Sequence, residues 1–284
     1  MKTILITGAT SGIGKQTALS LAKLGHRIII TGRNKASGES AVQEIMQQSG
    51  NSNIELLLAD ISIKAGVQSL VNQFNQKYET LDVLINNAGS AANEHKLTAD
   101  GLETNFAVNV LTPFLLTKLL WDSLKKSKSA RVITLMGGDL PKTIDLNNLQ
   151  AENKFDGLNY YSQSKMQMMA LMYELSQRNT DKNITINICY PGQAATSMTQ
   201  NVTPEMLPFL MRPLFPIFKY LVKNDGGKSA EKASRSSVYM ATSPEVEGKT
   251  GLYFNKNVQE KPFPNAVTDE INRKTIWDYV QKII

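Results

Sequence analysis

The chain has 284 residues, of which 42% are hydrophobic and 20% charged, an ordinary composition for a globular protein whose core needs neither disulfides nor a metal ion. The formal net charge is +6, but the lysines are scattered and no aromatic residues are interleaved with their one dense cluster, which argues against a nucleic-acid-binding surface. A basic surplus is equally compatible with an anionic cofactor or substrate.

Cysteine content and hydropathy indicate a reducing compartment. The only cysteine, Cys189, lies inside an apolar run, so no disulfide can form within the chain. The first predicted strand begins at the start of the sequence and leaves no room for a signal peptide. The most apolar segment, residues 206–222, contains three prolines, an arginine and a lysine, which is unfavourable for a membrane-spanning helix. We expect a cytoplasmic protein without a membrane span.

Apolar β-forming runs alternate with amphipathic helical segments along the chain. Strands are predicted at residues 3–7, 27–31, 54–58, 81–86, 131–135, 184–189 and 251–254. Helices are predicted at residues 13–24 and 37–48, from an N-cap at Ser62, at 102–126 and around Tyr161. The strands are continuous apolar runs, which indicates burial on both faces. The pattern predicts an α/β fold, a doubly wound parallel sheet (Rossmann fold) of about seven strands with helices on both faces.

No repeat, low-complexity tract or linker divides the sequence, so a single dinucleotide-binding domain at residues 1–284 is predicted. A substrate flap is expected at about 196–228 and a C-terminal extension at about 256–284. The flap is rich in methionine, phenylalanine, leucine and proline, which favours an apolar pocket for a lipophilic substrate. Ordinary packing against the fold or a partner subunit is the alternative.

The segment TGATSGIG, between the first strand and the first helix, has the glycines of a phosphate-binding loop. Gly8 permits a turn that a Cβ would strain, Gly12 permits close approach of the backbone to a pyrophosphate, and Gly14 lets the helix lie near the strand. The helix N-terminus then presents free N–H groups and a partial positive charge to the phosphates. We therefore expect a dinucleotide at this loop.

The end of the second strand predicts which dinucleotide is bound. Gly32 stands where a carboxylate would bind the ribose of NAD, and Arg33 follows it. A guanidinium suits a 2′-phosphate, with Lys35 as a second cation, so NADP(H) is the predicted cofactor. A solvated turn residue is the alternative for Arg33. Asp60, after the third strand, is placed to touch the adenine or serves only as a helix cap.

These features resemble the short-chain dehydrogenase/reductase family. TGATSGIG (Thr7–Gly14) is similar to that family's cofactor motif, NNAG (Asn86–Gly89) to its fourth-strand motif, and YSQSK (Tyr161–Lys165) to its catalytic Tyr-x-x-x-Lys. PGQAAT (Pro191–Thr196) resembles the segment that meets the nicotinamide, and Asn109 matches the asparagine that holds a water beside the lysine. The resemblance covers nearly the whole chain, with the motifs in the family's order.

Within the family, residues 31–45, 144–155 and 236–254 resemble segments of the retinol-dehydrogenase-like group. Members of that group often carry a membrane anchor, which we do not expect here. The residues expected at the cofactor are Gly8, Thr10, Ser11, Gly12, Ile13, Gly14, Arg33, Asp60, Ile61, Asn87, Ala88, Gly89, Tyr161, Lys165, Pro191, Gly192 and Thr196.

The resemblance implies hydride transfer between a nicotinamide and a carbonyl or alcohol carbon, with Tyr161, Lys165 and Asn109 as catalytic residues. A free phenol, with a pKa of about 10, is a sluggish acid–base at neutral pH. Lys165 lies one helical turn beyond Tyr161 on the same face. Its charge is expected to favour the tyrosinate, its ammonium to bind the nicotinamide ribose, and water at Asn109 to extend the proton path. Tyr160 is a weaker rival, because Ser164 and not a lysine follows it by four residues.

One catalytic position departs from the family pattern. In the family, a serine near the end of the fifth strand hydrogen-bonds the substrate oxygen, and Gly137 occupies that position here. Loss of such a donor lowers the rate by about 10²–10³. Thr134 is predicted to point to the opposite face of the sheet. Asp139, Thr143, a backbone N–H and a water remain as substitutes.

Three functions therefore stay open. The favoured one is an NADP(H)-dependent oxidoreductase acting on a lipophilic carbonyl or alcohol. The alternatives are a catalytically altered NADP(H)-binding scaffold and a non-redox cyclase, isomerase or lyase. No metal site is predicted, because His26 and His95 lie in loop-like segments without ligand spacing. A homo-oligomer is compatible with the family, but the sequence adds no independent sign of one.

Overall fold

The computed structural model describes residues 1–92, 94–138, 140–192, 194, 215–216, 219–220 and 228–284. Most of the predicted flap lies outside these residues, as do Asp139 and Thr196. Among the described helices, none combines the length and the apolar character that a membrane crossing requires.

The first half of the chain alternates between strand and helix. Its elements are β1 (Thr3–Ile6), α1 (Gly12–Lys23), β2 (Arg27–Gly32), α2 (Lys35–Ser49), β3 (Ile54–Leu58), α3 (Lys64–Lys77) and β4 (Val83–Asn86). The second half opens with a π-helical segment (Phe106–Leu111). The elements after it are α4 (Thr112–Leu119), α5 (Trp121–Lys125), β5 (Ala130–Leu135), α6 (Gly157–Arg178), β6 (Ile184–Cys189), α7 (Lys228–Thr242), a 3₁₀ turn (Pro244–Val246), β7 (Tyr253–Phe254), β8 (Glu260–Lys261), α8 (Asn265–Thr268) and α9 (Glu270–Ile283).

The strands form one sheet in the order β3-β2-β1-β4-β5-β6-β7-β8. All neighbouring strands are parallel except β7 and β8, which pair antiparallel through two residues each. The predicted doubly wound parallel sheet is thus confirmed, with one short antiparallel edge strand beyond the predicted seven. The order reverses direction between β1 and β4, where ligands bind in open α/β sheets.

Both faces of the sheet are buried, which is why its central strands are continuous apolar runs. Leu5, Leu84 and Val132, which are register neighbours across three strands, belong to one hydrophobic cluster. The alternate residues Ile4 and Val83 belong to a second cluster. Successive side chains of a strand point to opposite faces, so each cluster joins one face of the sheet to its helices.

Two predicted helix boundaries were wrong. The helix expected from Ser62 begins at Lys64, and Ser62 instead hydrogen-bonds the Asp60 carboxylate. The long helix expected at 102–126 is interrupted by the π-helical segment and again at Leu120. The Thr112 N–H bonds the Ala107 carbonyl, five residues earlier, which makes the turn wider than an α-helical one. The next residue, Pro113, has no N–H to donate to the carbonyl four residues before it.

The C-terminal residues cover α6 and α4. Ile276 and Val280 of α9 are fully buried in the first hydrophobic cluster. The Trp277 ring meets Phe114 of α4 edge-on, with ring centroids 5.2 Å apart, and Arg273 forms an ion pair with Glu174 of α6. The helix that carries the YSQSK motif is therefore held from both sides, by the sheet and by α9.

Candidate active site

The loops after β1 and β4 are joined by hydrogen bonds. The Thr7 hydroxyl accepts from the backbone N–H groups of Asn87 and Ala88, at 3.1 and 3.0 Å. The Asn87 amide donates to the carbonyls of Thr7 and Gly8, at 2.8 and 3.0 Å. The TGATSGIG and NNAG motifs, about eighty residues apart in the sequence, thus form one structural unit at the carboxyl edge of the sheet.

The glycines of the first loop sit where side chains would collide. Gly8 has φ +62°, and a Cβ there would lie 2.9 Å from the Ala88 Cα. A Cβ on Gly14 would overlap the Asn87 amide and lie 2.6 Å from the Gly8 carbonyl oxygen. Gly12, with φ +56°, opens α1, whose first turn has no acidic residue. Open backbone N–H groups without a competing carboxylate fit a pyrophosphate.

The end of β2 leaves no room for an acidic side chain. A Cβ on Gly32 would lie 2.6 Å from the Thr10 methyl group. Arg33, the next residue, is exposed. Although desolvation opposes the change, hydrogen bonds from Ser62 and the charge of Arg33 lower the pKa of the neighbouring Asp60. The exposed Arg33 guanidinium is a group that could hold a 2′-phosphate.

Asp60 and Ile61, which follow β3, are held by hydrogen bonds. The Asp60 carboxylate accepts from the Ser62 hydroxyl and N–H, at 2.7 and 3.0 Å. Ile61 is buried, and its carbonyl accepts from the Thr112 hydroxyl of α4 at 2.5 Å. The Asp60 carboxylate therefore orders its own turn and does not cap α3, whose N-cap is Ile63.

Tyr161 and Lys165 of α6 both face the carboxyl end of β5. The Lys165 ammonium donates to the Leu135 carbonyl, the last of β5, at 3.3 Å, and the residue is 5% exposed. Immediately beyond, Gly137 approaches the Tyr161 hydroxyl so closely that a Cβ there would be 2.5 Å from it. The proposed proton donor, the ammonium and the altered strand tip are thus brought together.

Burial governs the ionisation of both groups in the polypeptide alone. Desolvation lowers the pKa of Lys165 to about 8. Desolvation, with a further contribution from Tyr190, raises the pKa of Tyr161 to about 12, although the residue as a whole is only partly buried. Lys165 is not among the causes of the raised pKa of Tyr161, so the expectation that its charge favours the tyrosinate stays a prediction.

Asn109, on the π-helical segment, braces two parts of the site. Its amide nitrogen donates to the Ser90 carbonyl and the Ser164 hydroxyl, at 2.8 and 2.9 Å, and its oxygen accepts from the Ser90 N–H at 2.8 Å. Ser164 lies on α6 between the two motif residues. The amide hydrogens thus bind protein atoms and connect the loop after β4 to the helix that carries Tyr161.

The suggested substitutes for the missing serine hydroxyl lie elsewhere or outside the described residues. Thr134 is buried and accepts from the Asn86 amide at 3.4 Å. Thr143 is exposed, and its carbonyl accepts from Gln163 at 3.0 Å. Asp139 lies outside the described residues. The geometry of the described residues leaves the strand-tip backbone and a water as substitutes, and Asp139 stays a prediction.

Tyr160 packs against the insertion before α6, whereas Tyr190 lies at the end of β6. The Tyr160 hydroxyl donates to the Leu149 carbonyl at 2.6 Å and anchors the insertion before α6, so it is not a rival to Tyr161. Tyr190, which the sequence reasoning missed, comes at the end of β6 and influences the Tyr161 phenol. Its position directly before the Pro191–Gly192 pair was the available signal. Gly192 has φ +89° and lies against Lys256.

Known proteins match the chain over most of its length. The model of the family described as short chain dehydrogenase matches residues 2–207. Retinol dehydrogenase 13 of Homo sapiens is 35% identical over 278 residues, covering 97% of this chain and 82% of that protein. Retinol dehydrogenase 14 of Homo sapiens is 33% identical over 298 residues, covering 100% and 86%. A solved structure of an uncharacterized protein from Mycobacterium paratuberculosis, 23% identical, has a TM-score of 0.75 and covers 100% of this chain and 93% of that one.

Proposed function

The chain belongs to the short-chain dehydrogenase/reductase family of nicotinamide-dependent oxidoreductases, and on that premise we propose that it transfers a hydride between NADP(H) and a lipophilic carbonyl or alcohol. One observation carries the proposal: the Tyr161 hydroxyl and the Lys165 ammonium meet at the end of β5, two strands from the glycine turn after β1. A proton donor and a dinucleotide-binding loop at the same sheet edge support a redox enzyme.

Residues along this edge would hold the cofactor. The N–H groups at the start of α1 would bind the pyrophosphate, Arg33 the 2′-phosphate and Lys165 the nicotinamide ribose. Pro191 and Gly192, at the end of β6, would lie beside the nicotinamide ring. When bound, the nicotinamide supplies or accepts the hydride.

Tyr161 would transfer the proton to or from the substrate oxygen. The phenol is protonated at neutral pH and can donate in the reductive direction, where the developing alkoxide takes up a proton, but a pKa of about 12 in the polypeptide alone makes it a weak acid. Lys165, with a pKa of about 8, remains an ammonium at pH 7 and would stabilise the phenolate left behind.

The substrate, the domain organisation, the location and the assembly are also proposals. The flap composition and the names of the retinol dehydrogenase relatives support a lipophilic substrate. We also propose one domain at residues 1–284 and a cytoplasmic location, with a homo-oligomer compatible with the family.

Turnover tests the catalytic assignment. We expect the purified protein to oxidise NADPH in the presence of aliphatic, aromatic or polyene aldehydes or ketones, measured by loss of reduced-nicotinamide absorbance. Tyr161→Phe should lower kcat by at least about 10², whereas Tyr160→Phe, which removes a hydroxyl bonded to Leu149 in the insertion before α6, is the matched control. NADPH binding without turnover on any substrate would favour the scaffold alternative. Substrate conversion at constant absorbance would favour a non-redox enzyme.

Binding tests the cofactor assignment. Arg33→Ala should weaken NADPH about 10- to 100-fold, since it removes a charge-assisted contact to the 2′-phosphate. NADH affinity should be unchanged. Fluorescence titration with both nucleotides measures this, and equal weakening of the two would refute the NADP(H) assignment.

A further inference from the structure

The space at Gly137 is filled by the catalytic tyrosine itself. A Cβ placed on Gly137 would lie 2.5 Å from the Tyr161 hydroxyl oxygen and 3.6 Å from the ring carbon that bears it. The first distance is far below any non-bonded carbon–oxygen contact, and the second is an ordinary van der Waals contact. A single atom, the phenol oxygen, therefore makes the position intolerant of a side chain.

The next residue, Gly138, also lies close to the Tyr161 ring. Gly138 has φ +78°, and a Cβ there would lie 3.0 Å from a ring carbon of Tyr161 and 3.0 Å from the Ser162 hydroxyl. The strand tip thus lies along both the edge and the hydroxyl of the ring. Tyr161 is further fixed by its helix, since Ser164 bonds both its carbonyl and Asn109.

We propose that Gly137 is a positioning residue: its missing side chain creates the space that the Tyr161 hydroxyl occupies at the end of β5. Two consequences follow. The change at this position is not the loss of a donor from an otherwise unaltered site, because the phenol lies where a serine side chain would begin. Introducing a serine would therefore require the Tyr161 hydroxyl to move from its present position.

A double-mutant cycle in thermal unfolding tests the contact without any catalysis. Gly137→Ala is expected to lower the unfolding temperature of the wild-type protein by a few degrees, on the order of 5 °C, as overpacking does. In Tyr161→Phe the nearest ring atom is at van der Waals distance, so the same substitution should have almost no effect. Gly157→Ala, on the helix that carries Tyr161, is the control, because its Cβ would meet only the Ala92 carbonyl at 3.6 Å.

Equal losses in the two backgrounds, or no loss in either, would overturn the proposal. If Gly137→Ala fails to fold in the wild-type background, recovery of folding by Tyr161→Phe supports it, and failure in both backgrounds overturns it.

Turnover provides a second measurement, which rests on the proposed function. Gly137→Ser and Gly137→Ala should both lower kcat by at least about 10-fold, with NADPH affinity unchanged, because both displace the proton donor. A simple missing donor makes the opposite prediction: Gly137→Ser would raise kcat and Gly137→Ala would leave it unaltered. That pattern would overturn the inference. Absence of turnover in the wild-type protein would refute the proposed function, while the unfolding cycle would still decide the role of Gly137.

Discussion

Replacing Lys165 with methionine should stabilise the protein while abolishing its catalysis. The ammonium lies in a residue that is 5% exposed and has the Leu135 carbonyl, at 3.3 Å, as its partner. No carboxylate compensates its charge in the described residues. Methionine has nearly the same length and volume, so the substitution removes the charge with little change in packing.

The magnitude follows from the pKa of the ammonium. Burial lowers it from 10.5 to about 8, and a difference of one in pKa is worth about 1.4 kcal/mol. Holding the charge in the folded state therefore costs about 3 kcal/mol at pH 7. Loss of the bond to Leu135 offsets about 1 kcal/mol, which leaves a net stabilisation of about 2 kcal/mol.

The effect must depend on pH with a definite sign. Below about pH 8 the lysine is protonated in both the folded and the unfolded protein, and the cost is complete. Between about 8 and 10.5 the unfolded chain holds more protons, so wild-type stability rises with pH. The advantage of Lys165→Met should accordingly shrink across this interval.

Urea unfolding of both proteins at pH 7, 8, 9 and 9.5, without cofactor, measures the difference. Lys182→Met, in the exposed turn before β6, is the control and should change the unfolding free energy by less than about 0.5 kcal/mol. A Lys165→Met protein no more stable than the wild type at pH 7, or a difference that is constant with pH, would refute the reasoning.

Two further predictions concern buried polar groups. Gln167 of α6 is fully buried, and neither its amide nitrogen nor its oxygen has a hydrogen-bond partner among the described residues, so Gln167→Met should raise the unfolding free energy by about 1–3 kcal/mol; an unchanged or lower value in urea unfolding would show that the amide is satisfied in solution. Burial raises the pKa of Cys189 to about 12, so the thiol should react with a maleimide only after unfolding, and modification of the native protein at pH 7 would contradict this.

The sequence predicted those parts of the fold that local signals determine. The third and sixth strands were predicted at their observed bounds, because short segments rich in β-forming residues between turn-forming polar residues identify strands. The glycine loop was recognisable from its sequence because close backbone approaches require its glycines. The interruption at Pro113 was missed, although a proline inside a long helical pattern was the available signal.

The site was predictable as a set of motifs but not as a set of contacts. Tyr161 and Lys165 were found from their spacing, and the altered Gly137 from its place after the fifth strand. Spacing does not give the approach of the Tyr161 hydroxyl to Gly137, which depends on how α6 packs on β5. It also does not give the desolvation that sets both pKa values, because burial is a property of the folded chain.

The close approach of Gly32 to Thr10 bears on any exchange of the proposed NADP(H) preference for NADH. An aspartate at position 32 would bring its Cβ within 2.6 Å of the Thr10 methyl group, so the threonine side chain would have to turn away or be shortened. Pairing Gly32→Asp with Thr10→Ser removes that methyl group. Nucleotide preference is thus linked to one side chain of the phosphate loop.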